Sequence, residues 1–321
     1  MSPFDTSLAV HPRTQVKPLP PYAYERQQTL RGTAQCVGVG VHSGAEVSLR
    51  LRPAPADHGV VFIRTDLPTG QNVIPASWDQ VVDTRLCTVI GNHHGAMVGT
   101  IEHLMAALRA MNVDNALIEI DGPEVPIMDG SAAPFVFLIE MAGIREQSEA
   151  RQWLEILKPV EAAMDGKRAA LLPGEQPVFN VEIRFDTPVI DRQRYDFSVS
   201  AAAFKGQISR ARTFGFLEEV DQLRSMGLAR GGSLHNAVVI GSDRVLNEGG
   251  LRYDDEFVRH KLLDAIGDLS LAGAPIRGIF TGLCTGHALN NKLLRALFAD
   301  RSAWRMVTQA VDAAEELAAA E

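Results

Sequence analysis

Residues 257–268 constrain the fold of this chain more than any other segment. Their apolar members recur at intervals of three and four, which predicts an α-helix with a buried side. His260 and Asp264 stand four residues apart and therefore lie one turn apart on the same side of that helix. A neutral imidazole beside a carboxylate can hold a divalent metal such as zinc, so we interpret the pair as part of a metal site.

A third candidate ligand, His103, lies in a second segment of helical periodicity, at 100–112. His103, His260 and Asp264 would supply two nitrogens and one oxygen. Hydrolytic zinc sites use such a set and keep a fourth position for water. Glu102, next to His103, is then a candidate for the base that removes a proton from that water.

The same residues have a simpler interpretation, in which His260 and Asp264 form an ordinary i,i+4 pair. Such a pair stabilises a helix by roughly 0.2–0.5 kcal/mol and needs no metal. Two further residues favour the metal hypothesis, because Asp268 lies two turns beyond His260 and His287 follows among small and polar residues. An aspartate that orients a histidine would give Glu102 an acid partner.

Composition excludes several classes of protein. The 321 residues are 46% hydrophobic, which suffices for two medium-sized domains with their own cores. The net charge of −8 argues against nucleic-acid binding. Three widely spaced cysteines fit a reducing cytoplasm and rule out a cysteine-rich zinc module. No apolar run reaches membrane-spanning length and no signal peptide is recognisable, so we expect a cytoplasmic protein without a transmembrane segment.

Strand and helix patterns alternate along the chain in two cycles. The predicted strands lie at 47–52, 60–64, 116–120, 154–160, 169–172, 179–185, 238–240 and 278–282, and the predicted helices at 100–112, 133–143, 217–226, 257–268, 287–299 and 302–319. The charged stretch 145–151 is the predicted linker, and the proline-rich residues 1–24 a flexible leader. We therefore predict two α+β domains, at 25–148 and 149–321, with the metal ligands meeting at their interface.

Seven motifs occur in an order that identifies a family. They are GVGVHSG at 38–44, TIEHL at 100–104, DGPEVPIMDGS at 121–131, SRARTFGF at 209–216, RVLN at 244–247, the helix of His260, and GHALNN at 286–291. From about Thr29 to Phe298, the chain resembles the UDP-3-O-acyl-N-acetylglucosamine deacetylases, the zinc amidases of lipid A biosynthesis. The leader before Thr29 lies outside the resemblance.

The resemblance implies a fold and a cofactor. The expected fold is two α+β domains of similar topology, each a β-sheet layered with helices, with the helices packed inward. The expected cofactor is Zn²⁺, with Fe²⁺ as an alternative in vivo, held by His103, His260 and Asp264. The expected reaction is hydrolysis of the substrate's N-acetyl amide with release of acetate, the committed step of lipid A synthesis.

The resemblance also implies roles in catalysis. Glu102 would act as general base, and His287 as a cationic partner hydrogen-bonded to Asp268. Thr213 would donate a hydrogen bond to the developing oxyanion, and Lys261 would meet the substrate near its sugar or phosphate. The sequence does not decide whether Glu102 or His287 protonates the leaving amine.

The expected substrate is an amphiphilic UDP-sugar, and we expect the enzyme to act on it as a monomer. Phe214, Phe216 and Leu217 are candidates for an acyl-chain channel, although such residues more commonly form core. By the same resemblance, Phe185 would stack on the uracil and Lys167 would meet the diphosphate. The entrance to the site would be lined by residues 38–44, Leu86 and Cys87. The acyl-chain length that the enzyme prefers is not predicted.

Two other functions remain open from the residues alone. A zinc hydrolase could act on another amide or on a peptide, although no HExxH motif follows Glu102. A non-catalytic protein could use the metal to order its structure. Structural zinc sites usually have four protein ligands, and the three candidates here favour an open, catalytic site.

Overall fold

The computed structural model describes residues 26–308 and consists of two halves. The first half contains strands β1 (Arg26–Leu30), β2 (Ala34–Val39), β3 (Glu46–Pro53), β4 (Val60–Arg64), β5 (Val73–Pro75), β6 (Val81–Asp83), β7 (Val89–Gly91), β8 (Met97–Val98), β9 (Ala116–Ile120) and β10 (Ile144–Ala150). Its helices are α1 (Glu102–Ala110) and α2 (Ala133–Ala142), with a 3₁₀ turn at Trp78–Gln80.

The second half repeats this alternation of strands and helices. Its strands are β11 (Gln152–Ile156), β12 (Val160–Met164), β13 (Lys167–Leu172), β14 (Val178–Arg184), β15 (Arg192–Ser198), β16 (Phe214–Phe216), β17 (Val238–Ile240), β18 (Ile276–Arg277), β19 (Ile279–Leu283) and β20 (Trp304–Thr308). Its helices are α3 (Ala201–Ala203), α4 (Leu217–Ser225), α5 (Glu256–Ser270) and α6 (His287–Ala299), with a π-helical turn at Phe204–Ile208.

Each half is built on a five-stranded sheet, and the two sheets have the same topology. The strand order is β2-β3-β9-β4-β5 in the first sheet and β12-β13-β19-β14-β15 in the second. In each sheet, the member that comes last in the sequence, β9 or β19, occupies the centre. It is antiparallel to one neighbour and parallel to the other. Parallel pairing needs a crossover connection, and the crossovers contain α1 and α5. The predicted fold of two similar α+β halves is therefore confirmed.

The burial pattern of the first sheet also explains why helices cover its inner face. Strand β3 alternates exposed and buried residues, so one face of its sheet is apolar and must be covered. Helices α1 and α5 are buried on nearly all sides, with Arg109 the one residue of α1 that is not fully buried. Both pack against each other in the middle of the molecule, as expected from helices packed inward.

Smaller sheets complete the fold and correct two predictions. The stretch 145–151 is not an irregular linker, because most of it forms β10 and pairs with β1. Its charged residues are exposed, whereas β1 is largely buried, and the two strands lie more than 100 residues apart in sequence. The helix predicted at 302–319 is wrong over Trp304–Thr308, which forms β20 beside β11. Aromatic and β-branched side chains favour a strand there, whereas the alanines that follow dominated the helical pattern.

Several predicted segments lie elsewhere than expected or cannot be compared. The strand predicted at 154–160 is two strands, β11 and β12. The leader at 1–24 and residues 309–319 of the last predicted helix lie outside the described residues. The division into domains at 25–148 and 149–321 stays a prediction. Over residues 26–308, no helix is long and apolar enough to cross a membrane.

Candidate metal centre and active site

The three predicted ligands converge where α1 crosses α5. One ligand atom each from His103, His260 and Asp264 lies within 4.8 Å of the others, and all three residues are buried. The Nε2 atoms of His103 and His260 lie 3.6 Å and 3.3 Å from Oδ1 of Asp264. The two imidazole rings meet edge to face, with centroids 4.9 Å apart. Helical spacing thus places two of the predicted ligands on α5, and the helix crossing brings the third predicted ligand to them.

The two oxygens of Asp264 have different surroundings. Oδ2 accepts a hydrogen bond of 3.0 Å from Nζ of Lys261. Oδ1 faces the two imidazoles at distances beyond normal hydrogen bonds, and it has no hydrogen-bond partner among residues 26–308. Burial opposes the charge of Asp264, but His260 and Lys261 hold its pKa well below the ordinary value of 3.8. A charged oxygen is therefore buried without a partner of its own.

His260 is fixed in the orientation that a ligand requires. Its Nδ1 lies 3.0 Å from the carbonyl oxygen of Ala211. A carbonyl can only accept, so Nδ1 carries the proton and the lone pair of Nε2 points toward Asp264. Burial lowers the pKa of His260 to about 4, against the opposing effect of Asp264, so the ring is neutral at physiological pH.

These features fit a divalent cation. An unpaired buried carboxylate oxygen costs free energy, and a cation among the three ligand atoms would offset that cost. Neutral imidazole nitrogens and a carboxylate oxygen are a donor set suited to zinc and similar metals. His103, His260 and Asp264 are the one such group of three in the described part of the chain.

Glu102 lies beside the ligands with its carboxylate inside the site. Its Oε2 accepts a hydrogen bond of 3.1 Å from the backbone N–H of Thr88, and its Oε1 lies 3.8 Å from Nε2 of His287. Burial raises the pKa of Glu102 above 4.5, and His287 and His103 offset part of that rise. A carboxylate with a raised pKa next to a metal site is suited to accept a proton.

His287 is the first residue of α6 and pairs with Asp268. Its Nδ1 donates to the carboxylate of Asp268 at 2.9 and 3.2 Å. Burial opposes the charge on the imidazole, but Asp268 and Glu102 raise the pKa of His287 to about 10. Asn290 and Thr88 also donate to Asp268, at 2.8 and 2.6 Å, and so fix its position. The predicted pair is present, and His287 is cationic at neutral pH.

Thr213 and Lys261 are near the ligands, but their roles stay predictions. The backbone of Thr213 is held on both sides, because its N–H donates to Gly130 and its carbonyl accepts from Val238, both at 2.8 Å. Thr213 follows Ala211, whose carbonyl holds His260, by two residues. Lys261 donates to Asp264 and lies 5.5 Å from the ring centroid of Phe214, so it borders both the ligands and an aromatic surface.

The predicted substrate aromatics form one cluster. Phe185 contacts Phe214 and Phe216 with ring centroids 5.7 and 5.9 Å apart, and Phe214 lies 6.4 Å from the ring of His260. None of the three is fully buried. Leu217 is 52% exposed at the start of α4. The three rings pack against the core and are partly exposed beside His260, so their contacts with an acyl chain or uracil stay predictions.

Lys167 lies at the same end of the second sheet as Phe185, a member of the aromatic cluster. It is exposed at the start of β13, whose next residue, Arg168, pairs with Leu283 at the end of β19. Leu283 pairs on its other side with Glu182, near the end of β14 and three residues before Phe185. Lys167 begins β13 and Phe185 follows β14 at the same end of the sheet, with β19 between the two strands, and the diphosphate contact stays a prediction.

The predicted entrance residues are held by a glutamate that the sequence analysis did not single out. The carboxylate of Glu124 accepts from the backbone N–H groups of His42 and Ser43, at 2.9 and 2.8 Å, and from Oγ1 of Thr100. A side chain at Gly40 would collide with that carboxylate. The DGPEVP motif was the only sequence signal for this role of Glu124 in holding the entrance residues. The hydrogen bonds themselves could not be predicted, because they join segments about 80 residues apart.

Leu86 and Cys87 differ in exposure. Leu86 is 49% exposed, in a left-handed backbone conformation with φ of 66°. Cys87 is buried next to Thr88, and burial together with the charge of Glu102 raises the pKa of its thiol to about 12. Cys87 is therefore a small buried side chain and not a reactive thiol.

Gly267 sets how closely the two central helices approach. A Cβ atom at this position would overlap the backbone carbonyl of Glu102, the residue before the ligand His103. We therefore expect Gly267→Ala to separate α1 from α5, to destabilise the fold by about 1–3 kcal/mol and to weaken metal retention. Gly206→Ala is the control, since a Cβ there meets nothing within 4 Å. Thermal unfolding and metal analysis of both variants test this, and an unchanged metal content in Gly267→Ala would contradict it.

Comparisons with known proteins find similarity over most of the chain. Residues 27–299 match the family model described as LpxC, UDP-3-O-acyl N-acetylglycosamine deacetylase. A UDP-3-O-acyl-N-acetylglucosamine deacetylase of Phenylobacterium zucineum is 55% identical over 289 residues, which cover 90% of this chain and 99% of the relative. The enzyme of that name from Myxococcus xanthus is 53% identical over 281 residues, covering 88% and 89% of the two chains. One from Shewanella sp. strain W3-18-1 is 50% identical over 286 residues, covering 88% and 92%.

Proposed function

The chain belongs to the UDP-3-O-acyl-N-acetylglucosamine deacetylase family, and we propose that it hydrolyses the N-acetyl amide of UDP-3-O-acyl-N-acetylglucosamine and releases acetate. This is the committed step of lipid A synthesis that the sequence predicts. The observation that carries the proposal is the convergence of His103, His260 and Asp264 beside a buried acid, Glu102, and a buried cation, His287.

The proposed resident metal is Zn²⁺, with Fe²⁺ as the alternative, held by His103, His260 and Asp264. A divalent ion held there would supply Lewis acidity, polarising a substrate carbonyl and lowering the pKa of water. The family and the three-ligand group support a metalloenzyme, and the neutral nitrogens with one carboxylate support zinc.

Glu102 and His287 would carry out the proton transfers. The carboxylate of Glu102 accepts the proton of the attacking water, since its raised pKa brings it closer to neutral pH. His287 is cationic at neutral pH and lies 3.8 Å from Glu102, so it can stabilise negative charge and donate a proton to the leaving amine. We propose Thr213 as a further hydrogen-bond donor to the oxyanion.

The substrate would lie along the aromatic cluster of Phe185, Phe214 and Phe216. Apolar rings suit an acyl chain and stack on a base, whereas the exposed Lys167 suits the diphosphate. Lys261 lies between the cluster and the ligands and would contact the sugar or phosphate. Monomeric action in the cytoplasm stays a prediction.

Acetate release from purified enzyme tests the proposal. We expect turnover of UDP-3-O-acyl-N-acetylglucosamine, loss of turnover on chelation, and much weaker turnover of UDP-N-acetylglucosamine, which lacks the acyl chain. Equal rates with both sugars, or with an unrelated N-acetyl amide, would favour a hydrolase of another substrate. A tightly bound metal with no hydrolysis of any amide would favour a structural metal.

The pH dependence should be bell-shaped, because the reaction needs Glu102 deprotonated and His287 protonated. Activity should rise with pH as Glu102 loses its proton, at a pH above 4.5 because its pKa is raised. Activity should fall again near pH 10, where His287 becomes neutral. The measurement is kcat/KM against pH, and a profile without an alkaline limb would contradict the role of His287.

Asp268→Asn should shift the alkaline limb of that profile toward lower pH. The carboxylate of Asp268 raises the pKa of His287, and the amide removes the charge while it keeps the shape. We expect the rate at pH 8 to fall by at least about 10-fold, less than the roughly 10²–10⁴-fold that loss of an acid–base group costs because His287 itself remains, while metal content stays near that of the wild type. Parallel loss of metal and rate would instead assign Asp268 to the metal site.

A further inference from the structure

Helix α5 carries four charged or ligating side chains at intervals of four residues. Glu256, His260, Asp264 and Asp268 therefore lie along one side of the helix, and all four are buried. The two inner members are the proposed ligands. The outer member Asp268 holds His287, which leaves the other outer member, Glu256, without a part in the reaction described so far.

Glu256 is fully buried and accepts four hydrogen bonds. Its Oε1 accepts from the backbone N–H and Nε of Arg212, at 3.0 and 2.9 Å, and its Oε2 accepts from Nη2 of Arg212 at 3.1 Å. The backbone N–H of Arg252 adds a bond of 2.6 Å to Oε2. Burial opposes the charge of Glu256, but these donors hold its pKa below the ordinary value. The carboxylate therefore fixes both the backbone and the side chain of Arg212 by hydrogen bonds.

Arg212 lies between two residues of the proposed site. The carbonyl of Ala211, immediately before it, accepts the Nδ1 proton of His260. Thr213, immediately after it, is the proposed oxyanion donor, and its N–H is anchored to Gly130 of the first half. A movement of Arg212 would therefore displace the acceptor that sets the tautomer and ring orientation of a ligand.

We propose that Glu256 is a positioning residue for the metal centre, acting through Arg212 on the Ala211 carbonyl and so on His260. This inference rests on the proposed function, because it requires His260 to be a ligand. A partner that orients a ligating histidine typically contributes 10–100-fold in metal affinity or activity. Helix α5 thus binds the metal through its inner residues and fixes the surrounding loops through its outer ones.

The test compares Glu256→Gln with Asp114→Asn. Asp114 is the matched control, because its partly buried carboxylate also accepts one backbone N–H, from Gln28, and two bonds from one guanidinium, that of Arg151. It follows the last turn of α1 and contacts no ligand. Each variant is measured for thermal unfolding, for Zn²⁺ affinity by chelator competition, and for the visible absorption bands of the Co²⁺-substituted protein.

Both substitutions should lower the unfolding temperature, but only Glu256→Gln should change the metal centre. We expect its Zn²⁺ dissociation constant to rise about 10–100-fold with altered Co²⁺ bands, and Asp114→Asn to match the wild type in both. Equal Zn²⁺ affinity and unchanged bands in Glu256→Gln would overturn the inference. Wild-type protein that takes up no cation would overturn the proposed function and this inference together.

If Glu256→Gln does not fold, Arg212→Lys provides the same test. Lysine keeps the positive charge and the backbone N–H, but it cannot make the two-pronged contact with the carboxylate. A Zn²⁺ affinity weaker than that of Asp114→Asn supports the inference, and an affinity equal to the wild type overturns it.

Discussion

Glu102→Gln is expected to keep its metal and to lose most of its deacetylase activity. Glutamine has nearly the same shape and can still accept the backbone N–H of Thr88 through its oxygen, so the surroundings should persist. It cannot accept a proton from water. Removal of a general base typically costs about 10²–10⁴-fold in rate, and we expect a fall in kcat of that size with little change in KM.

Two controls separate this outcome from a general loss of structure. Metal content and unfolding temperature of Glu102→Gln should stay near those of the wild type. Glu140→Gln, on the exposed surface of α2 where Glu140 pairs with Lys205, should retain full activity. If Glu102→Gln turned over substrate at the wild-type rate, another group would have to be the base.

His260→Ala should abolish metal binding and, with it, activity. The substitution removes one of three ligand nitrogen or oxygen atoms and leaves Oδ1 of Asp264 facing a cavity. Because even a partner that only orients a ligand contributes about 10–100-fold, loss of the ligand itself should weaken Zn²⁺ binding by more than about 100-fold. Metal analysis after gel filtration and acetate release measure the two effects.

The control for this variant is His235→Ala, since His235 is exposed. It should bind one equivalent of metal and work at the wild-type rate. Excess Zn²⁺ should restore part of the activity of His260→Ala only if the remaining two ligands still form a site. Stoichiometric metal and full activity in His260→Ala would remove His260 from the centre.

The grouping of the three predicted ligand side chains could be anticipated because the information is local or carried by long motifs. Four-residue spacing on a strongly periodic helix places His260 beside Asp264 without knowledge of the fold. The distant candidate, His103, was proposed from its residue type on a second periodic helix and again from the family resemblance, but its convergence with α5 depends on a close helix crossing at Gly267 that no local pattern reveals. The same periodicity continues to Glu256, one turn before His260, yet nothing in the sequence pairs Glu256 with Arg212.

The two errors in the predicted fold arise because long-range strand pairing leaves no signal in the local sequence. Strand β10 is stabilised by pairing with β1, more than 100 residues away, and its exposed charged residues are as common in an edge strand as in a loop. Strand β20 pairs with β11 across a similar distance. Local propensity carries no information on such pairing, so the sequence predicted a linker and a helix there.

Titration of the metal-free enzyme with Zn²⁺ tests the central claim most directly. If His103, His260 and Asp264 form one catalytic site, acetate release should be absent without metal, rise in proportion to added Zn²⁺ and reach its maximum at one equivalent per chain. Deacetylation at the full rate by protein shown to contain no metal would contradict the account.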